Sequence, residues 1–384
     1  MRRLLLLLVV VCAPGCGKLL GISNPTPADG GDGDGGDDAS TIDSSPPCVT
    51  PAMFAAEQSF AIGGTGTSLA VAQLDRKPGR DVVIAVGDGV QIMSGNGAGS
   101  FSQGLKIAIP QADGVTVGDF DNDGDGDLVV WDEDGTAIAA FRQDSSVTPS
   151  TYGAAQPVNG TFAGLQAAMV GYVDALFIDD LLVKDAAGAR GCTSRQLSPI
   201  DFACSAGTIP NVGGSDTLVA FGQLDGQGAS DAAFVSIAGE VKIATDVAGL
   251  RPPAVYSAGA RQRCVGFGKL DEDTEIDMIV GATGGGVIYR GGGGTFAAVS
   301  GTIASVTGPT MQVIDLNGDG KDDLLLATRI VYQCAPATPG GPGVFSQFEA
   351  IEGGGPWLAI DVNADGKPDL LRVAGTDLRV RLHQ

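Results

Sequence analysis

Histidine is nearly missing from this chain: His383 is the only one in 384 residues. With no Cys-x-x-Cys pair and no Cys/His cluster, a structural zinc site has no ligand set to draw on. There is no Gly-x-Ser-x-Gly elbow, no His-Glu-x-x-His and no phosphate-cradling Gly-rich loop. Aromatics are only 5% of residues, and no long stretch has helical amphipathic periodicity. Basic residues are few, and the formal net charge is −22. A surface of that sign excludes nucleic acid as a partner, because phosphates require a basic footprint. It also disfavours anionic lipid headgroups.

Glycine is abundant instead, 60 residues, set among short valine- and alanine-rich runs. That pattern predicts an all-β chain of many short strands joined by tight turns. The apolar run Leu4 to Ala13 follows Arg2 and Arg3 and is followed by Pro14-Gly15-Cys16. It is too short to span a bilayer and reads as an export signal. Gly15 before Cys16 points to a bacterial lipoprotein signal over residues 1–15, with Cys16 taking the lipid; a plainly secreted chain is the alternative. Lys18 rather than Asp after Gly17 fits onward sorting to the outer membrane or cell surface. Residues 16–48 are rich in Gly, Asp, Ser and Pro, without Lys or Arg between Lys18 and Arg76. Such a segment buries too little apolar surface to fold and is expected to act as a disordered tether. Membrane association would come through the lipid alone. Of the remaining cysteines, Cys192 and Cys204 flank one expected hairpin and are the best disulfide candidates. With Cys12 removed and Cys16 lipidated, five cysteines are left, an odd number, and the pairing of Cys48, Cys264 and Cys334 stays open.

A single repeat organises residues 49–384. A short apolar strand enters an Asp-rich turn and a second apolar strand leaves it, with a closing Asp at 81, 127, 180, 231, 277, 323 and 369. The spacing is 46 residues in four of the six intervals and 51 or 53 in the others. A period in the forties with about four strands per unit is that of propeller blades. Fourth strands are expected near Phe101, Tyr152, Phe202, Val255, Phe296 and Phe345. The seventh unit stops after its third strand, 378–382, and the stretch 53–60 is the strand left to complete it. The expected fold is therefore a seven-bladed β-propeller of four-stranded blades, closed by that N-terminal strand, as a monomer.

The repeated Asp-x-Asn/Asp-x-Asp-Gly-x-x-Asp turn resembles the FG-GAP/VCBS repeat family, whose best-known relatives are the integrin α-subunit propellers. The resemblance covers roughly residues 50–384. It implies that the turns join first and second strands of a blade and hold calcium on one face of the disc.

Oxygens at positions one, three, five and nine, the carbonyl at seven and Gly at six suit a hard cation taking six to eight ligands. Three copies are complete. They are Asp119, Asp121, Asp123, Asp127 with the carbonyl of Asp125; Asp315, Asn317, Asp319, Asp323 with Lys321; and Asp361, Asn363, Asp365, Asp369 with Lys367. An EF-hand is excluded, because position twelve is Val130, Leu326 or Arg372 rather than a bidentate Glu. Calcium is thus expected at about three sites, as a structural ion.

The other turns have lost ligands. In the first, Lys77 stands at position five between Asp75 and Asp81. In the fifth, Lys269 at position one is expected to replace part of the metal charge beside Asp271, Asp273 and Asp277. The fourth offers Gln223 and Gln227 with Asp225 and Asp231, a weak set. The third has Tyr172, Leu176 and Phe177 at ligand positions and is expected to be metal-free.

No catalytic residue emerges, and Asp132, Glu133 and Asp134 read as an exposed hairpin turn. The segments expected on the face opposite the calcium turns are short, such as 132–135 and 185–188. The sequence favours a cell-surface binding or scaffold module for a protein or glycan. A calcium-dependent enzyme on extracellular polysaccharide is the alternative.

Overall fold

The computed structural model describes residues 51–75, 77–144, 151–174, 176, 178–197, 199–224, 230–236, 238–257, 262–271, 273–282, 285–292, 295–299, 303, 306, 310–335, 344–351 and 355–384. Before these it describes only the short strands Leu5–Leu7, Val10–Val11, Lys18–Leu19 and Ile22–Asn24. Cys16 and the expected tether beyond residue 24 lie outside the described residues. The chain is all-β: the one helical element among the described residues is the 3₁₀ turn Val247–Gly249.

Consecutive strands fold back on one another as antiparallel meanders. The first comprises Ser68–Ala72, Asp81–Ala85, Gly87–Gly95 and Phe101–Ala112. Others are Thr217–Gly222 through Ala254–Tyr256, Gln262–Gly268 through Thr295–Ala298, and Thr310–Ile314 through Val344–Ala350. Two more meanders, Gly114–Gly118 through Gln156–Asn159 and Leu165–Gly171 through Ile200–Cys204, join into one eight-stranded sheet. Their outer strands meet in a short parallel ladder, Val158 with Phe202 and Asn159 with Ala203. In the last sheet Leu358–Ile360, Asp369–Ala374 and Asp377–Arg381 are followed in space by Gln58–Ala61, which pairs antiparallel with Asp377–Arg381. Phe54 and His383 add a bridge beyond that ladder. The two-residue stretches Val10–Val11 and Lys18–Leu19 pair at the free edges of Thr310–Ile314 and Ser68–Ala72. Five separate sheets and the eight-stranded one thus form a β-propeller arrangement.

Burial follows position within each meander. Second strands such as Asp81–Ala85 and Asp127–Trp131 are buried at every residue, which is why they read as continuous apolar runs. The outer strand Phe101–Ala112 is largely exposed between its buried ends. Apolar clusters are shared between neighbouring sheets: Leu69, Val82 and Ile84 of the first pack with Leu358, Leu371 and Leu378 of the last.

One strand differs from expectation. Thr151–Tyr152 does not open the fourth strand of its meander but pairs with Gln143–Asp144; the fourth strand is Gln156–Asn159. The Gly153 N–H donates to the Arg142 carbonyl, so this hairpin closes on the end of the third strand instead of extending the sheet. Cys192 and Cys204 face each other across antiparallel strands and form a disulfide. Cys264 is a buried free thiol, and Cys334 is disulfide-bonded.

Candidate functional site

Each Asp-rich turn is held by its closing carboxylate in the same way. One oxygen of Asp81, Asp127, Asp180, Asp231, Asp277, Asp323 or Asp369 accepts the N–H of position two at 2.8–3.1 Å. The other oxygen accepts an N–H at the end of the third strand, from Gly95 round to His383, at 2.7–3.0 Å. All seven carboxylates are buried. Position nine therefore staples the first, second and third strands together whether or not the rest of the turn has kept its oxygens. Burial pushes Asp127 and Asp323 up to about 7, an effect only partly offset by these bonds.

The three complete turns share a loop geometry. Position one gathers amides: Asp119 accepts from Asp123 and Gly124, Asp315 from Gly318, Asp319 and Gly320, and Asp361 from Ala364, Asp365 and Gly366. Position five accepts from position seven, as Asp123 from Asp125, Asp319 from Lys321 and Asp365 from Lys367, each at 2.9 Å. Asn317 and Asn363 accept from Asp319 and Asp365. Gly124, Gly320 and Gly366 at position six have φ of 87°, 81° and 84°, the left-handed region where glycine has no Cβ penalty. Position four is left-handed too, at Asn122, Gly318 and Ala364, which the sequence pattern did not single out.

In the second turn, ligand oxygens of Asp119, Asp121 and Asp127 lie within 4.8 Å of one another. Asp121 is 1% exposed, and its Oδ1 is buried without a hydrogen-bond partner. An orphaned buried carboxylate oxygen is costly, and a clustered all-oxygen donor set fits a hard divalent cation.

Cations of the chain itself enter other turns. Lys77 Nζ lies 2.5 Å from Asp75 Oδ2 in the first, while Gln73 donates to the carbonyls of Lys77 and Gly79. In the fifth turn the side-chain cation on Asp271 is Arg290, at 2.5 Å, rather than the Lys269 expected from sequence. Lys269 sits where its backbone N–H reaches Asp322 of the next turn at 2.7 Å. In the third turn Tyr172 is partly buried and Leu176 exposed. Phe177 lies outside the described residues, as do Asp225 and Gln227 of the fourth turn. The sequence pattern does not mark Arg142 and Arg290, which reach the turns across the sheet, or Asp179 and Asp322, which from position eight of the third and sixth turns reach position one of the preceding turn.

At the far end of the strand Asp231–Val235 from its turn lies an open cleft of ≈ 460 Å³. Asn211, Ser215, Asp216, Ser236, Glu240 and Lys242 supply its polar lining. The connection 205–216 builds one wall, so not every segment on this side is as short as 132–135. Lys242 Nζ is held by Asp216 at 2.9 Å and by the Asn211 carbonyl at 2.8 Å.

Residues 79–130 match the family of FG-GAP-like repeats. No curated protein matches the chain. Among solved structures it is similar to BBS1N crystallised in complex with ARL6DN, at 11% identity over 87% of this chain and 97% of that one, TM-score 0.54. An Agrocybe aegerita lectin, solved for its recognition of non-reducing terminal N-acetylglucosamine, is 16% identical over 78% and 90% of the two chains, TM-score 0.54. The extracellular domain of the hybrid two-component system protein BT3049 from B. thetaiotaomicron is 11% identical over 86% and 41%, TM-score 0.50. These likenesses concern the fold. The chain carries an FG-GAP-like repeat within a β-propeller arrangement.

Proposed function

We propose that this chain is a calcium-bearing propeller that works outside the cell as a binding module for a glycan or protein. The eight-stranded sheet is taken as two blades joined at their rims. With the five separate sheets that makes seven blades, and the Gln58–Ala61 strand is the clasp that closes the ring. Closure of this kind joins the blades into a ring and leaves only their short inner and outer edges. Lipid on Cys16 and the segment up to residue 48 would hold the ring at a membrane surface, in line with the apolar run Leu4 to Ala13 just before Gly15 and Cys16.

The observation that carries the binding reading is the cleft beside Lys242. Its amide, hydroxyl and carboxylate groups offer donors and acceptors to a hydroxyl-rich ligand, and its cation is already committed to Asp216. Such a lining suits recognition better than the charge stabilisation that cleavage of a polysaccharide needs. The lectin among the structural neighbours recognises a sugar, which agrees with this reading. Calcium in the second, sixth and seventh turns would act as a structural ion, its binding free energy adding to that of folding. The buried, unpartnered Asp121 Oδ1 supports an ion in the second turn.

Glycan-array binding with and without calcium tests the proposal. Retention of a defined set of glycans, lost in Lys242→Ala and Asp216→Ala, is the expected result. Turnover of a bound polysaccharide would favour the enzymatic alternative, and undiminished binding by both variants would move the site elsewhere.

A further inference from the structure

The three complete turns are not equivalent, because the third strand delivers a different side chain to each. Leu128 pairs with Phe141, so the following residue, Arg142, stands beside the closing Asp127. Leu324 pairs with Val331 and Leu370 with Arg381, which places Tyr332 and Leu382 at the corresponding points of the sixth and seventh turns. Tyr332 turns its hydroxyl away, to Glu349 at 2.7 Å and the Ala52 N–H at 2.9 Å. Arg142 does the opposite. Its Nε donates to Asp121 Oδ2, and one terminal nitrogen lies 2.5 Å from Asp123 Oδ2. These are positions three and five of the metal motif, so the guanidinium occupies oxygens that an ion would need.

We propose that Arg142 is a resident cation that competes with calcium for the second turn, making it the weakest of the three complete turns and one that switches between an arginine-closed and an ion-filled state. The inference rests on the calcium reading above. The exchange needs little from the fold. The backbone around Arg142 is fixed by the Gly153 N–H on its carbonyl and by the Gln143 N–H on Asp127. The Arg142 side chain is 34% exposed, so the guanidinium has a path into solvent. Asp121 keeps Oδ1 unpartnered while Arg142 holds Oδ2, leaving one oxygen ready for an incoming ion. Five carboxylates from Asp119 to Asp127 repel one another whenever neither cation is present, so one or the other should always be there. The fifth turn shows the device taken further: Arg290 holds Asp271 at the corresponding position, and Lys269 replaces the position-one carboxylate.

The test is calorimetric titration of calcium into the full chain and into Arg142→Gln and Arg142→Lys variants. The wild type should fill two sites before a weaker third. Arg142→Gln should tighten the third by about tenfold, the equivalent of about 1.4 kcal/mol, and leave the other two unchanged. Arg142→Lys, which keeps a cation without the planar fork, should fall between. Adding Asp123→Asn to Arg142→Gln should abolish the tightened site, which assigns it to the second turn. If all three proteins bind calcium with the same three affinities, the competition is refuted while the calcium reading stands. If none binds calcium, the calcium reading itself fails and the competition with it.

Discussion

The backbone N–H of Asp119 donates to Asp179 Oδ2 at 2.8 Å, so a carboxylate at position eight of the third turn completes position one of the second. The same link recurs as Tyr172 N–H to Ser230 Oγ at 3.0 Å and Lys269 N–H to Asp322 Oδ2 at 2.7 Å. Turns are thereby tied to their neighbours through single side chains. Gln143 and Gln333 add a second tie by donating to the carbonyls of Leu74 and Leu270 in the preceding turns.

Asp179→Ala should lower stability by roughly 1–3 kcal/mol, the cost of leaving a buried or half-buried N–H unpaired. Asp179→Asn keeps an acceptor and should lose less. Denaturant unfolding of the two variants checks this, and equal stability of Asp179→Ala and the wild type would show that the inter-turn bond contributes nothing.

Asp179 and Asp180 are both pushed up to about 6 by burial, partly offset by the backbone bonds they accept. Their folded values lie above the ordinary 3.8, so the stability they contribute is complete below that value and is lost as pH rises through about 6. Acidification from about pH 6.5 toward 4 should therefore strengthen the fold through this pair, by up to about 1.4 kcal/mol per pH unit for each group. Asp179→Asn should flatten that pH dependence. An unchanged slope in the variant would contradict the assignment.

The closing Asp is a fold staple in metal-poor turns as well. Asp180→Ala removes the acceptor for the N–H groups of Val173, Asp174 and Ser194, and should cost roughly 1–3 kcal/mol for each group left dry. That loss should be the same in calcium and in chelator. Asp365→Ala in the seventh turn should instead cost more in calcium than in chelator, where only its bonds from Lys367 and Asn363 are lost.

Ala364 has φ of 62°, a left-handed conformation that costs a residue with a Cβ about 1–2 kcal/mol. The sixth turn has Gly318 at this position, with φ of 77°. Ala364→Gly should relieve the strain and raise the melting temperature, offset in part by the entropy that glycine adds to the unfolded chain. A drop in melting temperature would contradict this.

The repeat was legible in sequence because its markers are local. The spacing of the closing aspartates, Gly at position six and the apolar runs on either side all lie within about a dozen residues. The pairing of 58–61 with the last third strand followed from counting strands. What the sequence concealed comes from elsewhere in the chain. Arg142 and Arg290 reach the turns through strand register, and Asp179 and Asp322 through the neighbouring meander, 60 and 53 residues away. Lys269 was the cation nearest in sequence to the fifth turn, but Arg290 is the one whose strand directs it there. Position four was hidden at Ala364, a residue type that does not announce a left-handed backbone, although Asn122 and Gly318 do.

The proposed calcium sites are the second, sixth and seventh of seven unequal turns. Equilibrium dialysis of the chain against calcium, read by metal content per chain, tests this assignment most directly. Saturation is expected at about three equivalents, falling by one with each of Asp123→Asn, Asp319→Asn and Asp365→Asn, consistent with oxygen-rich turns as the ligand sets. No bound calcium, seven comparable equivalents, or binding that survives the triple variant would contradict it.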